Sequence, residues 1–190
     1  MALCVNACAG DLLNHTLNSC SSTRLGDIRS AAFILCKDVF EEIASDPEDR
    51  TKWLSLIDPA VNVNNANGTF INDVQIERTS EISSVERFVS DGQENQKDGT
   101  NYTITITDQN VSCLNHAFYD SLDGRAAYVA LFYNDGRMEI SETPFTFYTS
   151  MPSATKNTVQ TYTIEATKKF PVGKSWICIE DAPNGLPINF

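Results

Sequence analysis

A cysteine and a histidine in the second half of the chain have the types and spacing of a nucleophile and its base. Cys113 and His116 lie three residues apart in a segment with helical spacing, which would place both side chains on one helix face. An imidazole that takes the thiol proton makes cysteine a nucleophile. The alternative is a Cys113 that packs inward beside a partly exposed His116. We favour this second interpretation and expect that the protein is not an enzyme.

Acidic side chains could form the carboxylate pair that glycoside hydrolysis requires. Glu41 with Glu42 and Asp120 with Asp123 are examples of close pairs. Glycosidases hold two carboxylates across a cleft, which spacing along the chain does not reveal. The chain has 25 acidic residues among 190, so such pairs arise by chance. A hydrolase therefore ranks last among the functions that we consider.

The six cysteines are not spaced like the ligands of common metal sites. Four of them occur early, at Cys4, Cys8, Cys20 and Cys36, without a C-x-x-C pair. The first basic residue is Arg24, so the start lacks the positively charged region of an export signal. We therefore expect reduced cysteines, with a disulfide-stapled arm as the alternative. Glycine-rich nucleotide motifs are also missing from the sequence, and we expect neither a metal nor another cofactor.

The charge balance and the apolar segments argue against two further classes of protein. The chain has 14 basic and 25 acidic residues, for a net charge of −11, and its longest basic run is Lys168-Lys169. Phosphate binding needs clustered Lys and Arg, so a protein that binds nucleic acid over its whole surface is disfavoured. The longest apolar run covers eight residues, 126–133, whereas a membrane helix needs about 20. We expect no membrane span.

Alternation of apolar and polar residues predicts that most of the chain is β-strand. Residues 101–107 alternate strictly and give the strongest strand pattern. Further strands are predicted at 28–36, at 69–76 and at 158–168. A near-continuous apolar run at 127–133 indicates a strand that is buried on both faces.

Two helices are predicted among the strands. Asp46 is a favourable N-cap and Pro47 suits the first helical position, so a helix is predicted at 46–58. The second is predicted at 113–123, where apolar residues recur every four positions and Gly124 ends the helix.

These elements predict a mainly β fold of the α+β class, an antiparallel β-sandwich or barrel-like domain with one or two short helices and extended arms or loops. Residues 1–24 are interpreted as an N-terminal arm, and residues 25–190 as a single domain with a helical insertion near 46–58. Residues 91–99 are polar and predict a flexible loop. Residues 134–136 are typical of a hairpin turn.

The order of several short motifs matches that of a known protein family. The motifs are Cys8, Cys20, Gly26-Asp27-Ile28, the strand Gly99–Ile106, a short helix, Val129–Gly136 and Gln160–Thr167. Read together, they resemble a tail-tube-type structural protein of tailed bacteriophages, of the kind carried by phages of Bacteroidetes hosts. The matching segments are 8–36 and 99–170. The helix at 46–58 and the segment Arg24-Leu25-Gly26, in place of the usual glycine pair, depart from the pattern.

This resemblance implies an architectural protein. Such proteins form a sandwich whose strands join between subunits into a ring, usually a hexamer, and the rings stack into a tube through which DNA passes without specific binding. The expected partners are further copies of the chain and other tail or connector proteins. The expected place is the virion tail, assembled in the host cytoplasm. The alternatives are a related ring-forming head–tail connector or tail terminator protein, or a monomeric β-sandwich binding module.

Acidic residues on predicted strands and turns are the candidates for the wall of such a channel. They are Glu139, Glu142 and Glu165, each beside alternating residues that pack the other way. Fixed carboxylates would repel the phosphates of passing DNA and so prevent adhesion. The alternative is that these acids only keep the protein soluble.

Overall fold

The computed structural model describes residues 27–89, 92–151 and 160–187, and the predicted arm at 1–24 lies outside them. The strands of this part are β1 Ile28–Ile34, β2 Gly68–Ile71, β3 Gln75–Val89, β4 Gly92–Asp108, β5 Ala126–Tyr133, β6 Met138–Ser141, β7 Phe145–Thr146, β8 Tyr148–Ser150, β9 Tyr162–Pro171 and β10 Trp176–Ile179. The helices are α1 Lys37–Ser45, α2 Leu54–Ile57 and α3 Cys113–Leu122, and 3-10 turns cover Arg50–Trp53 and Val63–Asn65.

The strands form a sheet in the order β10-β6-β5-β1-β3-β4-β9-β8. Off this path, β2 pairs with β1 and β7 pairs with β5. Each of the strand pairs within the described residues is antiparallel. The predicted mainly β, antiparallel fold class is therefore confirmed, and the three short helices make it an α+β fold.

The sheet curls around a first apolar core, which gives the fold its barrel-like character. Side chains from the β1–β5 part and from the β3–β4–β9 part meet there, among them Phe33, Val129, Ile104 and Ile164. Helix α3 contributes Tyr119 to the same core. Burial of these apolar surfaces is the main force that holds the two parts of the sheet together.

A second core lies on the opposite face of β1 and β5. Ile34 and Phe132 project into it and meet Ile43 and Trp53 of the helical segment. Because neighbouring residues of a strand point to opposite faces, β5 is buried on both sides, and Val129 through Phe132 are at most 1% exposed. The prediction for the apolar run at 127–133 is confirmed.

The helical segment begins earlier than its predicted start at Asp46. Helix α1 already ends there, because the backbone N–H of Asp46 donates to the carbonyl of Ile43 at 3.2 Å. Val39 and Ile43 lie four residues apart and are both buried in the second core. Their burial favours a helix at this place, whereas the capping residues of the sequence favoured one nine residues later.

The predicted helix at 46–58 is replaced by a 3-10 turn that continues into α2. The carboxylate of Asp49 accepts a hydrogen bond from the Thr51 N–H at 2.9 Å and so starts the turn. The indole N–H of Trp53 donates to the carbonyl of Pro47 at 3.0 Å. This contact folds the chain back on itself and anchors the fully buried Trp53 ring.

Two further segments differ from their predictions, and one agrees. The predicted strand at 69–76 is interrupted after β2, where Asp73 has a φ of 57°. The predicted loop at 91–99 belongs largely to β4, because it pairs with β3. Helix α3 begins as predicted, with the Ser112 hydroxyl accepting a hydrogen bond from the Asn115 N–H at 3.1 Å.

Candidate assembly surface

Strands β3, β4, β9 and β8 lie side by side and form what we term the ribbon. Each neighbouring pair is antiparallel, so β3 and β9 run one way and β4 and β8 the other. The ribbon therefore has an even number of strands, and its two outer strands, β3 and β8, point in opposite directions. This relationship determines how a second copy could continue the sheet.

One long side of β3 is open. Its partner on that side is β1, and the two are in register only at Ile28 and Ile76. From Glu77 to Val89, this side of β3 has no partner strand among the described residues. An average strand has about 5–6 residues, so this segment, which we term the β3 edge, is unusually long. Among the described residues its outward N–H and C=O groups pair with no strand, and such groups can pair with another strand.

The opposite side of the ribbon is also only partly covered. The short strand β8 pairs with β9 from Tyr148, opposite Glu165, to Ser150, opposite Thr163. Beyond Glu165, β9 has no further strand on that side within the described part of the chain. Tyr148 is 63% exposed although its ring is large and largely apolar. We term this side the β8–β9 edge.

The end of the β3–β4 hairpin extends beyond the rest of the ribbon. Pairing of β4 with β9 stops at Gly99, opposite Pro171, while pairing with β3 continues to Gly92, opposite Val89. Residues 84–89 of β3 therefore lie past the last β9 position, a distance of about 20 Å at the rise of an antiparallel strand. We term this part the projecting hairpin.

Gly99 lies where the projecting hairpin leaves the sheet. Its φ is 150°, and a Cβ atom built on it would lie 2.3 Å from the carbonyl oxygen of Phe170. The register shifts at the same place, between Ser83 and Ser84, which leaves Asp98 unpaired as an extra residue of β4. The carboxylate of Asp98 forms an ion pair with Lys169 of β9. Only glycine lets the two strands approach this closely at a bulge.

One face of the ribbon is polar. Its cross-strand rows are Glu77–Thr105–Glu165–Tyr148, Thr79–Thr103–Thr167 and Gln75–Thr107–Thr163. The hydroxyls of Thr103 and Thr167 are 3.0 Å apart. On the reverse face, Ile104, Ile106 and Ile164 are fully buried in the first core. We term the polar side the ribbon face; it contributes no apolar side chain to either core.

Of the three acids predicted for a channel wall, Glu165 is the one on the ribbon face. It is exposed and shares a row with Glu77, and Thr105 lies between them. The sequence analysis did not select Glu77. The alternation of apolar Val74 and Ile76 with polar Gln75 would have identified Glu77 as an outward-facing residue.

The other two predicted acids lie outside the ribbon and have partners. Glu139 on β6 forms an ion pair with Arg78 and accepts a hydrogen bond from the Tyr133 hydroxyl at 2.7 Å. Glu142 accepts hydrogen bonds from the Ser175 N–H at 2.6 Å and from the Lys174 ammonium group at 3.5 Å. A channel role for these acids stays a prediction.

Side chains around Glu139 close one end of the first core. The guanidinium of Arg78 lies 4.8 Å from the centre of the Trp176 ring of β10, and that of Arg137 lies 4.5 Å from the Tyr133 ring. Burial, together with the hydrogen bond to Glu139, raises the pKa of Tyr133 above its ordinary value. Its hydroxyl therefore stays protonated and donates to Glu139.

The Cys–His pair that the sequence analysis considered and disfavoured lies partly outside the described residues. The Cys113 side chain lies outside the described part of the structure, and His116 is exposed on α3 with its ring 6.4 Å from that of Tyr162. Within the described ranges, no group of three or more His, Cys, Asp or Glu side chains is placed to hold a metal. The same ranges contain no helix long and apolar enough to cross a membrane.

Comparison with solved structures finds similarity over part of the chain. A chain in the tail of an empty GTA particle, obtained by helical refinement with C6 symmetry, is 16% identical over 56% of this chain and 79% of its own length, with a TM-score of 0.33. A chain of the virion of the native gene transfer agent (GTA) particle is 13% identical over 56% of this chain and 82% of its own length, with a TM-score of 0.33. No family model and no curated protein matches the chain. At these TM-scores the similarities assign neither a family nor a function.

Proposed function

We propose that this protein is a structural subunit of a virion tail that assembles with copies of itself into a ring. The ring is a tail tube segment, hexameric and stacked as the tail-tube resemblance implies, and DNA passes through it without specific binding. Other tail or connector proteins are its further partners, and assembly takes place in the host cytoplasm. In this role the protein needs no catalytic site.

The pair of open edges carries this proposal. Because β3 and β8 run in opposite directions, a second copy in the same orientation can place its β8–β9 edge beside the β3 edge of the first. The strands then continue to alternate in direction where β8 borders the β3 edge, whereas the uncovered part of β9, which runs in the direction of β3, would border it in parallel. Such a head-to-tail contact uses different surfaces on the two subunits and gives a closed ring when the rotation closes.

A long open edge is a liability for a protein that stays monomeric. Natural monomers cover such edges, shorten them or interrupt them, because exposed backbone groups recruit other strands. The β3 edge is not covered among the described residues, and Ile82, at its middle, is 69% exposed. Pairing with a neighbouring copy would satisfy the backbone groups and bury part of this apolar surface.

The ribbon face would then line the channel. Its side chains take no part in either core, and Glu77 and Glu165 supply carboxylates that repel phosphate. Lys169 is on the same side but is paired with Asp98. At physiological salt the repulsion acts over about 8 Å, so it prevents DNA from adhering to the wall without resisting passage along the axis.

The projecting hairpin is the natural contact to an adjacent ring or subunit. Val85 at its base is 46% exposed and Val172 at the end of β9 is 67% exposed, and both line an open cavity of about 560 Å³ with Pro171. Apolar side chains at the base of a projecting element become buried when a neighbour packs against it. Stacking through this hairpin distinguishes a tube protein from a terminator, which ends the stack.

The purified full-length chain tests the proposal by mass measurement and electron microscopy. We expect rings or tubes, whereas a monomer at high concentration would contradict the proposal and favour the binding module. Single rings that never stack would favour a connector or terminator.

Proline variants then test the β3 edge itself. Successive backbone N–H groups of a strand point to opposite sides, so one of Thr79 and Ser80 directs its N–H outward and the other directs it toward β4. Proline at the outward position removes a group of the β3 edge and leaves the pairing with β4 intact. Both Thr79→Pro and Ser80→Pro are therefore made. The variant that retains the native circular dichroism spectrum should stay monomeric. Thr79→Ala, which keeps the N–H, is the matched control and should assemble. Rings formed by the proline variant that retains the native fold would exclude the β3 edge as the contact.

A further inference from the structure

The chain contains two Asn-Gly pairs, Asn67-Gly68 and Asn184-Gly185, in opposite structural surroundings. Asn-Gly is the pair in which a backbone nitrogen most easily reaches the preceding side-chain amide, because glycine presents no Cβ to hinder it. The two sites are chemically alike, so any difference in their reactivity in the folded protein must come from the fold.

The first pair is immobilised on every side. The Asn67 side-chain amide donates to the Ser55 carbonyl at 3.0 Å, and its backbone N–H donates to the Asn62 side chain at 2.9 Å. The Asn67 carbonyl accepts from the Leu35 N–H at 2.9 Å. Gly68 is buried in β2, where an added Cβ would lie 2.0 Å from a backbone oxygen of β1. The reacting atoms of this pair cannot meet unless the sheet opens locally.

The second pair lies in an exposed turn. Asn184 and Gly185 are both exposed, and Gly185 has a φ of 78°. Within the described ranges, no hydrogen bond restrains the Asn184 side-chain amide. The carbonyl of Gly185 accepts a hydrogen bond from Arg50 Nε at 3.2 Å, and within the described ranges the glycine nitrogen donates no hydrogen bond.

Buried residues anchor the segment on both sides of this turn. Pro183 precedes it and is buried, and Leu186 follows it and packs into the second core at 7% exposure. The two residues of the turn are exposed, and the restraint that the structure shows on them is the hydrogen bond from Arg50 to the Gly185 carbonyl. Opening of this turn therefore costs less free energy than opening of the sheet around Asn67, where three hydrogen bonds and the β1–β2 pairing must break.

We propose that Asn184 is a site of spontaneous deamidation in the folded protein and that Asn67 is protected. The Gly185 nitrogen attacks the side-chain carbonyl carbon of Asn184 and loses its proton, so that a new C–N bond forms. The bond from that carbon to the side-chain nitrogen of Asn184 breaks, and this nitrogen takes up the proton and leaves as ammonia. Water then opens the resulting five-membered succinimide at one of its two carbonyls and gives aspartate or isoaspartate. Neither an oxidant nor an enzyme is required.

The product changes the surface beside Arg50. Either product adds a negative charge to a chain with a net charge of −11. Isoaspartate also inserts one extra atom into the backbone between the two anchors, which alters the turn that presents the Gly185 carbonyl to Arg50. Because the reaction needs no enzyme, the modification accumulates with the age of the protein, and it acts on the segment that follows β10.

Peptide mapping by mass spectrometry of the aged full-length chain tests this assignment. The protein is incubated at mildly alkaline pH, once folded and once in denaturant, and conversion at the two asparagines is compared. In denaturant both sites should convert at similar rates, since their local sequences are alike. In the folded protein, Asn184 should convert at least about tenfold faster than Asn67, because protection scales with the cost of local opening.

Two variants complete the experiment. Asn184→Gln should abolish the new acidic species seen on ion exchange, and Asn67→Gln should leave that species unchanged. Equal conversion of the two sites in the folded protein would overturn the proposal. So would a folded Asn184 that converts only after denaturant is added.

Discussion

Arg78 on β3 and Glu139 on β6 form an ion pair although β1 and β5 lie between their strands in the sheet. The contact is possible because the sheet curls, so that strands distant in the sheet order approach each other across the end of the first core. The side chains are 22% and 12% exposed. The pair therefore closes the barrel-like fold beside the start of the β3 edge.

Replacement of Arg78 by Met should destabilise the protein by about 1–3 kcal/mol, since it leaves the half-buried Glu139 carboxylate without its cation. The double variant Arg78→Met/Glu139→Gln should recover part of this loss, because the buried charge is then removed as well. Urea unfolding of the single and double variants measures the coupling. Additive effects of the two substitutions would show that the pair contributes nothing to stability.

Gly99→Ala should lower the free energy of unfolding by more than the strain of its backbone angle alone would. The new methyl group would lie 2.3 Å from the Phe170 carbonyl oxygen, so β4 and β9 must separate at the base of the projecting hairpin. Gly124→Ala is the control, because its φ is 71° and nothing lies within 4 Å of the added atom. The control should lose about 1–2 kcal/mol of stability, and Gly99→Ala should lose distinctly more. Thermal unfolding measures both losses. Equal losses would contradict the close approach.

A charge reversal on the ribbon face should turn a repelling wall into an adhesive one. Glu77→Lys/Glu165→Lys should leave ring formation nearly intact, since both side chains are exposed on the ribbon face and the proposed contact between copies uses backbone groups of the two edges. Assembled rings of this variant should retain DNA, and the binding should weaken steeply with salt, as phosphate contacts do.

Glu48→Lys and Glu42→Lys together serve as the matched control, because both acids are exposed in the helical segment, away from the ribbon. This variant has the same net charge as the ribbon-face variant and should release DNA like the wild type. If the two variants retain DNA equally, the effect comes from net charge and the ribbon face does not line a channel.

Stability should fall at alkaline pH, and Tyr133 should contribute to the fall. An unfolded tyrosine loses its proton at a pH of about 10, whereas burial raises the pKa of Tyr133 in the folded protein. Above that pH the folded state binds more protons than the unfolded state, so the free energy of unfolding decreases as pH rises. Burial and the hydrogen bond to Asp108 also raise the pKa of Tyr119, so this residue contributes to the same decrease in the free energy of unfolding.

Tyr133→Phe isolates this contribution. The variant should lose about 1 kcal/mol near neutral pH, since Glu139 loses a hydrogen bond. Its stability should then fall less steeply than that of the wild type at alkaline pH, because one titrating group is gone. Parallel stability curves over the alkaline range would contradict a role for the Tyr133 proton.

Local patterns in the sequence were sufficient for most of the strands and for α3. Strict alternation at 101–107 correctly predicted a strand with one buried face. The apolar run at 127–133 correctly predicted a strand that is buried on both faces. The Ser112 cap correctly placed the start of α3. These features depend on neighbours within a few residues, so the sequence alone determines them.

Tertiary contacts decided the rest. Helix α1 forms where Val39 and Ile43 reach the second core, and this burial prevails over the capping signal at Asp46. The polar segment at 91–99 is a strand because β3 provides its hydrogen bonds, which composition does not reveal. In both cases a distant partner supplied the stabilising free energy.

The candidate site depended most on the tertiary structure. The sequence identified Glu139 and Glu165 as similar acids on strands. The curl of the sheet nevertheless pairs Glu139 with Arg78 and leaves Glu165 on the ribbon face, in the same cross-strand row as Glu77. The open β3 edge follows from the single register contact between Ile28 and Ile76. Which backbone groups lack a partner is a property of strand order, and strand order is set by long-range packing that no local pattern encodes.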